Sequence, residues 1–300
     1  MRNAVIVNDH AFVSGGQAKV AIETALMLAD AGLQVTFFAG VGPIDVRLDK
    51  AGVRSICLEQ HDLLGNPDRA RAAITGLWNH AAARELAALL AGLDPGDSIV
   101  HVHGWAKSLS PSIGPVVSRS AIAHVYTLHE YFLACPNGGF YDGQHQEICT
   151  RRPLGASCLM THCDRRRRSH KAWRVMRQAI LWSAGTMPRS LRDFIYLSRI
   201  QFEAMRPYLP ADARMHHLPN AVDRPEPARV VAEDNESFLF IGRLSAEKGA
   251  EMAARAARAA GVPIAFAGEG ECREAVGAAN PQARMRCWQD EDALAATIRK

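Results

Sequence analysis

Short, uninterrupted apolar runs alternate with helical segments along this chain, and the alternation restricts the fold to a small set. The run AVIV at residues 4–7 is followed by a polar loop that contains glycine, and then by apolar residues at helical spacing through Ala29. Gly32 ends that helix, and the run VTFF at 35–38 is the next strand. Strands that are apolar at every position are typical of a parallel sheet with helices on both faces. The pattern predicts an α/β fold with a doubly wound parallel sheet.

The alternation continues to about Asn220, and we interpret residues 1–220 as one Rossmann-like domain. Helical segments are predicted around residues 70–90. Further strands are predicted at residues 99–102, 123–126 and 195–197.

A second domain is predicted at residues 221–300, after a linker at 222–237 that is rich in proline and charge. Its predicted strands and its last helix lie at residues 238–241, 264–267, 285–288 and 291–298. A doubly wound domain usually has about 150 residues and five or six strands, so the second domain is expected to be incomplete.

The composition excludes several classes of protein. The 300 residues carry a net charge of +4, which is too small to indicate a nucleic-acid partner, and none is expected. No apolar run reaches the roughly 18 residues of a membrane span, and no signal peptide is recognised, so we predict a cytoplasmic protein. The seven cysteines are then expected to be reduced thiols or metal ligands rather than disulfides.

The turn GRLSAEK at residues 242–248 gives the strongest indication of a ligand. It follows the apolar run FLFI and precedes an alanine-rich stretch, so it connects a buried strand to a helix. At the carboxyl end of a parallel strand, Arg243 and Lys248 could bind a diphosphate through a forked guanidinium and an ammonium. A solvated basic turn is the alternative interpretation of the same two residues.

A second turn with glycine, Ser14-Gly15-Gly16-Gln17, lies between the first strand and the first helix. Glycine there lets backbone amides approach a phosphate. The sequence has neither the G-x-G-x-x-G spacing of dinucleotide binders nor the G-x-x-x-x-G-K-[ST] string of P-loop ATPases. These absences argue against an NAD enzyme and against a P-loop ATPase.

Together, these segments resemble the retaining glycosyltransferases of family four, which have the GT-B fold of two facing Rossmann-like domains. The string Arg-Leu-Ser-x-Glu-Lys-Gly at residues 243–249 is the most specific part of the resemblance. The other matching segments are GG at 15–16, VHVHG at 100–104, TLHE at 127–130, LPNAVD at 218–223, AGEG at 267–270 and WQD at 288–290. The resemblance covers nearly the whole chain.

The resemblance implies an enzyme that transfers a sugar from a nucleotide-sugar donor to an acceptor with retention of configuration. In such an enzyme the cations of the turn neutralise the departing diphosphate without a metal, so no cofactor is required for catalysis. The histidine of TLHE lies near the transferred sugar. The implied catalytic residues are Arg243, Lys248 and His129, and the implied donor-binding residues are Gly15, Gly16, Gln17, Arg243, Lys248 and Glu269.

The resemblance also implies the partners. The donor would be a UDP-, GDP- or ADP-sugar held mainly by the second domain, and the acceptor a glycan or a lipid-linked molecule held mainly by the first. Polysaccharide or glycolipid biosynthesis is the implied setting. The family carries a glutamate pair, E-x7-E, beyond the position where this sequence reaches Lys300. Weak or absent transfer is therefore expected if these 300 residues are the whole product.

Residues 135–177 are predicted to be an insertion in the first domain. Cys135, Cys149, Cys158 and Cys163 fall there among glycines and prolines, in a segment unable to build its own apolar core. Four thiolates would suit a tetrahedral structural zinc, although the spacings lack paired C-x2-C motifs. Reduced cysteines that pack in a loop are the alternative.

A basic segment follows these cysteines. The run RRRR at 165–168 precedes a predicted helix that carries Lys171, Arg174 and Arg177 among apolar residues. Such a pattern suits an anionic membrane surface, and it predicts a peripheral contact at the inner face of the membrane. A solvated helix face is the alternative.

Two other functions stay open from the sequence. A nucleotide-sugar epimerase of related fold is disfavoured by the string at residues 243–249. A binding module that contacts nucleic acid or an anionic surface through the cysteine- and arginine-rich segment, and catalyses nothing, belongs to a different class.

Overall fold

The structure, a computed structural model, describes residues 1–220, 235, 237–287, 289 and 291–298. The chain divides into two compact units, residues 1–221 and 222–300. The predicted linker lies almost entirely outside the described residues. So do residues 221–223 of the LPNAVD segment and Trp288 and Asp290 of the WQD segment.

Unit 1 is built on a seven-stranded parallel sheet with the strand order β3-β2-β1-β4-β5-β8-β9. Two further short strands, β6 and β7, pair with each other as an antiparallel hairpin. The strands are β1 Asn3–His10, β2 Gln34–Val41, β3 Arg54–Cys57, β4 Ser98–Val102, β5 Ala123–Leu128, β6 Tyr141–Asp142, β7 Glu147–Ile148, β8 Asp193–Tyr196 and β9 Arg214–His217.

The sheet confirms the predicted α/β architecture and adds two strands at its edges. β3 and β9 were not predicted, because RSIC and RMHH carry polar residues and neither is an apolar run. Residues of both edge strands are intermediate or exposed, so their faces are covered less than those of the central strands and need fewer apolar side chains.

The helices of unit 1 connect the parallel strands. The region around residues 70–90 contains two helices, and the second begins after Asn79, whose side chain accepts a hydrogen bond from Ala82 N. The helices are α1 Gly16–Asp30, α2 Val46–Lys50, α3 Arg69–Leu77, α4 His80–Ala91, α5 Ile113–Arg119, α6 Ala156–Met160, α7 Arg168–Trp182 and α8 Arg199–Met205.

Both faces of the sheet are buried, as the uninterrupted apolar strands predicted. Along β1, Val5 and Val7 pack into one apolar cluster, whereas Ala4 and Ile6 pack into the cluster on the opposite face. Alternate residues of a strand point to opposite faces, so an apolar residue is needed at every position.

Unit 2 contains a three-stranded parallel sheet, β10-β11-β12, with its own apolar core around Leu244 and Phe266. Its elements are β10 Phe238–Ile241, α9 Ala250–Ala260, β11 Ile264–Ala267, α10 Arg273–Ala279, β12 Arg284–Arg286 and α11 Glu291–Ile298. Across the described parts of both units, none of the helices is long and apolar enough to cross a bilayer.

Candidate active site

The strand order of unit 1 reverses at β1, whose two neighbours are β2 and β4. In open α/β sheets, ligands bind in the crevice outside the carboxyl ends of the strands at such a switch point. The turn with Gly15 and Gly16 lies here, because it joins the carboxyl end of β1 to α1. Both glycines line a small cavity of about 60 Å³ together with Asn8, Asp9 and Lys107.

Gln17 connects this turn to the end of β4. Its Nε2 donates to His103 O at 2.9 Å and lies 3.4 Å from Asn8 Oδ1. A Cβ atom at Gly104 would stand 1.8 Å from that same Nε2, so only glycine fits there without moving Gln17. In this structure the amide of Gln17 therefore holds the turn against the end of β4.

Two side-chain pairs bridge the carboxyl ends of β4 and β5. His101 Nε2 lies 2.7 Å from Thr127 Oγ1, and His103 Nδ1 lies 2.9 Å from His129 Nε2. His101 and His103 are two residues apart and share a face, as do Thr127 and His129 on the adjacent strand. The sequence singled out His129. It gave no reason to expect that His103 contacts it, because His103 fits the simple alternation of a strand.

Burial keeps these histidines neutral. Desolvation lowers the pKa of His129 to about 4 and that of His101 to about 4, and His129 adds to the effect on His101. Burial also holds the pKa of His103 well below its usual value, with further contributions from the other two rings. At pH 7 the cluster therefore consists of uncharged hydrogen-bonding groups.

Charged groups that the sequence analysis did not select lie beside the histidines. Asp9 is 1% exposed, and its carboxylate accepts hydrogen bonds from the backbone N–H groups of Lys107, Ser108 and Leu109. Burial raises the pKa of Glu130 to about 7, Asp9 adds to this rise, and Lys107 opposes it. Only the position of Glu130 directly after His129 could have indicated it from the sequence.

A larger cavity of about 700 Å³ lies within unit 1, between the loop after β3 and the loop after β4. Apolar residues such as Leu63 and Ile74 line it together with polar and aromatic ones, which include Glu59, His61, Asp62, Arg71, Trp78 and Lys107. Asp62 also contacts His10 Nε2 at 3.3 Å. An aromatic side chain among hydrogen-bonding groups is a suitable lining for a polyhydroxylated ligand.

In unit 2, the turns after β10 and β11 lie side by side at the carboxyl edge of the sheet. Leu244 N donates to Glu269 O at 2.9 Å, and a Cβ at Gly268 would stand 2.0 Å from Gly242 O. This contact places the two turns with Arg243 and Glu269 at one edge. Arg243 and Lys248 are both exposed, as a ligand-binding pair requires.

Each of the predicted donor-binding side chains Arg243 and Glu269 has a partner of its own. Arg243 donates to Glu247, four residues later, and the Arg243 side chain is 61% exposed. Glu269 contacts Arg273 at 3.4 Å. Sequence spacing alone would have suggested both pairs, since residues four apart are neighbours on a helical turn.

The four cysteines of the insertion are divided between two environments, and the buried Cys135 shares that of Cys163, whose pKa it helps to raise. Lys171 Nζ contacts Cys163 Sγ at 3.1 Å and Cys158 Sγ at 3.4 Å, and all three residues are buried. Cys149 instead lies 3.7 Å from an Arg151 nitrogen. Within the described residues, the one group of ligand atoms spaced for a metal is Asp142, His145 and Glu147, not the cysteines.

The ammonium of Lys171 therefore occupies the position between Cys158 and Cys163 that a zinc ion bound to these two sulfurs would need. Burial acts to lower the pKa of Lys171, but the contacts to the two cysteines outweigh it and raise that pKa. The zinc at Cys135, Cys149, Cys158 and Cys163 stays a prediction, and it requires this side chain to move.

The expectation that the cations of α7 form a surface is wrong for Lys171 and Arg177, which are 5% and 3% exposed. The Arg174 side chain is 30% exposed and pairs with the buried Asp164 at 3.2 Å. Arg177 stacks on Trp105 and Phe132 and donates to Ala106 O, because the helix turns this face toward the loops after β4 and β5. The run at 165–168 is exposed.

No protein-family model matches the sequence, and a search of curated protein sequences gave no match either. Several solved structures are similar to the structure of this chain. A glycosyltransferase from Rickettsia africae ESF-5 gives a TM-score of 0.56 at 12% identity, over 97% of this chain and 69% of that chain. TarM gives 0.56 at 10% identity, over 98% and 78%. HepE from Anabaena, solved with UDP and glucose, gives 0.53 at 13% identity, over 96% and 70%.

The chain has the GT-B glycosyltransferase fold. This confirms the predicted fold class, and at such low identities the similarity establishes the fold alone.

Proposed function

We propose that this chain is a glycosyltransferase that binds a UDP-sugar and transfers the sugar, with retention, to an acceptor. The observation that carries the proposal is the turn at residues 242–248. It lies at the carboxyl edge of the unit 2 sheet, exposes Arg243 and Lys248, and leads through Gly249 into α9. UDP is favoured as the donor nucleotide because HepE was solved with UDP, and GDP and ADP are the alternatives.

Arg243 and Lys248 are the proposed catalytic cations. They neutralise the diphosphate as its oxygen leaves the anomeric carbon of the sugar, while an acceptor hydroxyl bonds to that carbon through its oxygen and passes its proton to the departing phosphate oxygen. The guanidinium can bind two phosphate oxygens at once, and the ammonium acts as a point charge. Arg243 must break its ion pair with Glu247 to do so, and breaking an exposed ion pair costs little free energy.

The residues of unit 1 have different proposed roles. Gly15, Gly16 and Gln17 bind the diphosphate through the backbone of their turn, next to the switch point. His129 is neutral and contacts a sugar hydroxyl. The acceptor, a glycan or the glycan part of a lipid-linked molecule, occupies the cavity lined by Trp78, as polysaccharide or glycolipid synthesis would require.

Nucleotide binding tests the proposal. Calorimetric titration with UDP, GDP and ADP should give the tightest binding for UDP. Arg243→Ala and Lys248→Ala should each weaken it about tenfold to a hundredfold, the value of a hydrogen bond between charged groups. Arg255→Ala is a matched control, because Arg255 is also exposed and also pairs with a glutamate four residues away.

The proposed donor site is refuted if none of the three nucleotides binds, or if Arg243→Ala behaves like Arg255→Ala. Salt-sensitive binding of an oligonucleotide without nucleotide binding would support the binding-module alternative. The anomeric configuration of any product, read by NMR, decides whether the transfer is retaining.

A contact with an anionic membrane is proposed for the exposed arginines at residues 165–168, which stand close to the exposed Leu159 and Met160 in sequence. Flotation with phosphatidylglycerol vesicles should depend on these arginines. Unchanged flotation after all four are replaced by glutamine would contradict the proposal.

A structural zinc at the four cysteines is the remaining proposal. Metal analysis should find about one zinc per chain if it is correct. A folded, metal-free protein whose seven cysteines all titrate as free thiols after unfolding would instead support reduced cysteines around Lys171.

A further inference from the structure

The hydrogen bond between His103 and His129 has a direction that the structure can decide. His103 Nδ1 and His129 Nε2 are 2.9 Å apart, and one of them must carry the proton that the other accepts. A neutral imidazole carries one proton, on one of its two nitrogens. Knowing which ring donates in this bond therefore tells whether the other nitrogen of each ring is protonated or bare.

The surroundings of His103 Nε2 decide whether His103 or His129 is the donor. His103 is 2% exposed, and its Nε2 is buried without a hydrogen-bond partner among the described residues. If His129 were the donor, His103 would carry its proton on Nε2, as a buried N–H group without an acceptor. If His103 is the donor, Nε2 is a bare lone pair. Orphaned buried N–H groups are rarer in proteins than acceptors with unused capacity.

We propose that His103 donates its Nδ1–H to His129 Nε2 and thereby fixes His129 in the tautomer that carries its proton on Nδ1. His129 then presents an uncharged N–H donor, which suits a hydroxyl or ring oxygen of the transferred sugar. His103 is a positioning residue, since it acts through His129. The ligand rests on the proposed function, whereas the tautomer does not.

Three observations support a fixed, neutral pair. Burial lowers the pKa of both rings far enough that neither is protonated at pH 7. The ring centroids of His101 and His103 are 4.0 Å apart, so the ring of His101 limits the rotation of His103. The backbone of His103 is held as well, because its N–H donates to Val7 O and its carbonyl accepts from Gln17.

The first experiment uses the unmodified chain. Long-range ¹H–¹⁵N NMR spectra at pH 7 distinguish the two neutral tautomers and the imidazolium, and His129→Gln assigns the signals of His129. The expected result is a neutral His129 with its proton on Nδ1. A proton on Nε2, or an imidazolium, would overturn the inference.

The second experiment compares two variants. Asparagine can place an amide donor near the Nδ1 position, whereas leucine has no donor. His103→Leu should therefore lose the single tautomer of His129 and reduce kcat about tenfold while the affinity for UDP is unchanged. His103→Asn should recover most of both. His217→Gln, an exposed residue on β9, is the control and should match the unmodified chain.

Equal kcat and equal His129 spectra in His103→Leu and the unmodified chain would also overturn the inference. If the unmodified chain binds none of the three nucleotides, the proposed function fails, and the NMR spectra still decide the tautomer.

Discussion

Arg243 carries the charge on which the proposed diphosphate site depends, and Glu247 contacts that charge in the structure. A diphosphate competes with this carboxylate for the same guanidinium. An exposed ion pair contributes about 0–1 kcal/mol, so the competition is weak but measurable.

Replacing Glu247 with glutamine should therefore strengthen the binding of UDP, by up to about fivefold. The neutral amide no longer competes with phosphate for Arg243. Titration calorimetry at low ionic strength is the measurement, and Glu251→Gln, which removes the equivalent partner of Arg255, is the control. Weaker binding in Glu247→Gln would show that Glu247 itself contacts the nucleotide.

The buried histidines make the stability of the fold dependent on pH. The pKa values of His101 and His129 fall from 6.5 to about 4 on folding, so between these values the unfolded chain binds more protons than the folded chain. Stability is then complete above pH 6.5 and falls toward pH 4, by about 1.4 kcal/mol per pH unit for each histidine. Glu130 acts in the opposite direction, because its pKa is raised to about 7.

Urea unfolding between pH 7 and pH 4.5 measures this slope. Stability should decrease as the pH falls, and the decrease should be smaller in His129→Gln, which removes one titrating group. An equal dependence of the unfolding free energy on pH in the unmodified chain and in His129→Gln would contradict the depressed pKa of His129.

Between elements, close approach at the switch point depends on glycine. A Cβ at Gly104 would overlap Gln17, which connects α1 to the end of β4, whereas a Cβ at Gly16 would meet nothing within 4 Å. The two glycines therefore have different reasons to be glycine. Glycine at 104 allows close packing, and Gly16 leaves open the space in which the diphosphate is proposed to bind.

Gly104→Ala should destabilise the chain by about 1–3 kcal/mol, as overpacking does. Gly16→Ala should leave the unfolding free energy nearly unchanged and weaken UDP binding, because the added methyl group occupies the space proposed for the diphosphate. Urea unfolding and calorimetric titration of both variants are the measurements. Undiminished UDP binding in Gly16→Ala would remove this turn from the proposed site.

Helix α7 shows that a basic helix need not face solvent or membrane. Its cations have separate internal partners: two thiols for Lys171, a carboxylate for Arg174 and aromatic rings for Arg177. The helix thereby ties the insertion to the loops that follow β4 and β5, next to His129. Its side-chain pattern could not reveal this, because the partners are far away in sequence.

For the whole molecule, the division into two units separates the proposed functions. Unit 1 has two large apolar clusters, and unit 2 has a small one of its own. The histidine pair belongs to unit 1, whereas Arg243 and Lys248 belong to unit 2.

A fragment of residues 1–220 should therefore fold cooperatively and keep the NMR signals of the His103–His129 pair. It should bind UDP at least about tenfold more weakly than the full chain, because it lacks both cations. Circular dichroism during urea unfolding, NMR and calorimetry test these three points. Full affinity for UDP in the fragment would place the donor site in unit 1.

The sequence by itself determined the α/β class, the parallel sheet and the cations of the turn at 242–248. These features depend on local patterns, namely apolar strands, glycine turns and residues placed just after a strand. It did not determine β3 or β9, the contact of His103 with His129, or the inward cations of α7. Only the tertiary structure decided those, because strand register and long-range packing bring together groups separated by many residues, and burial then sets their charge.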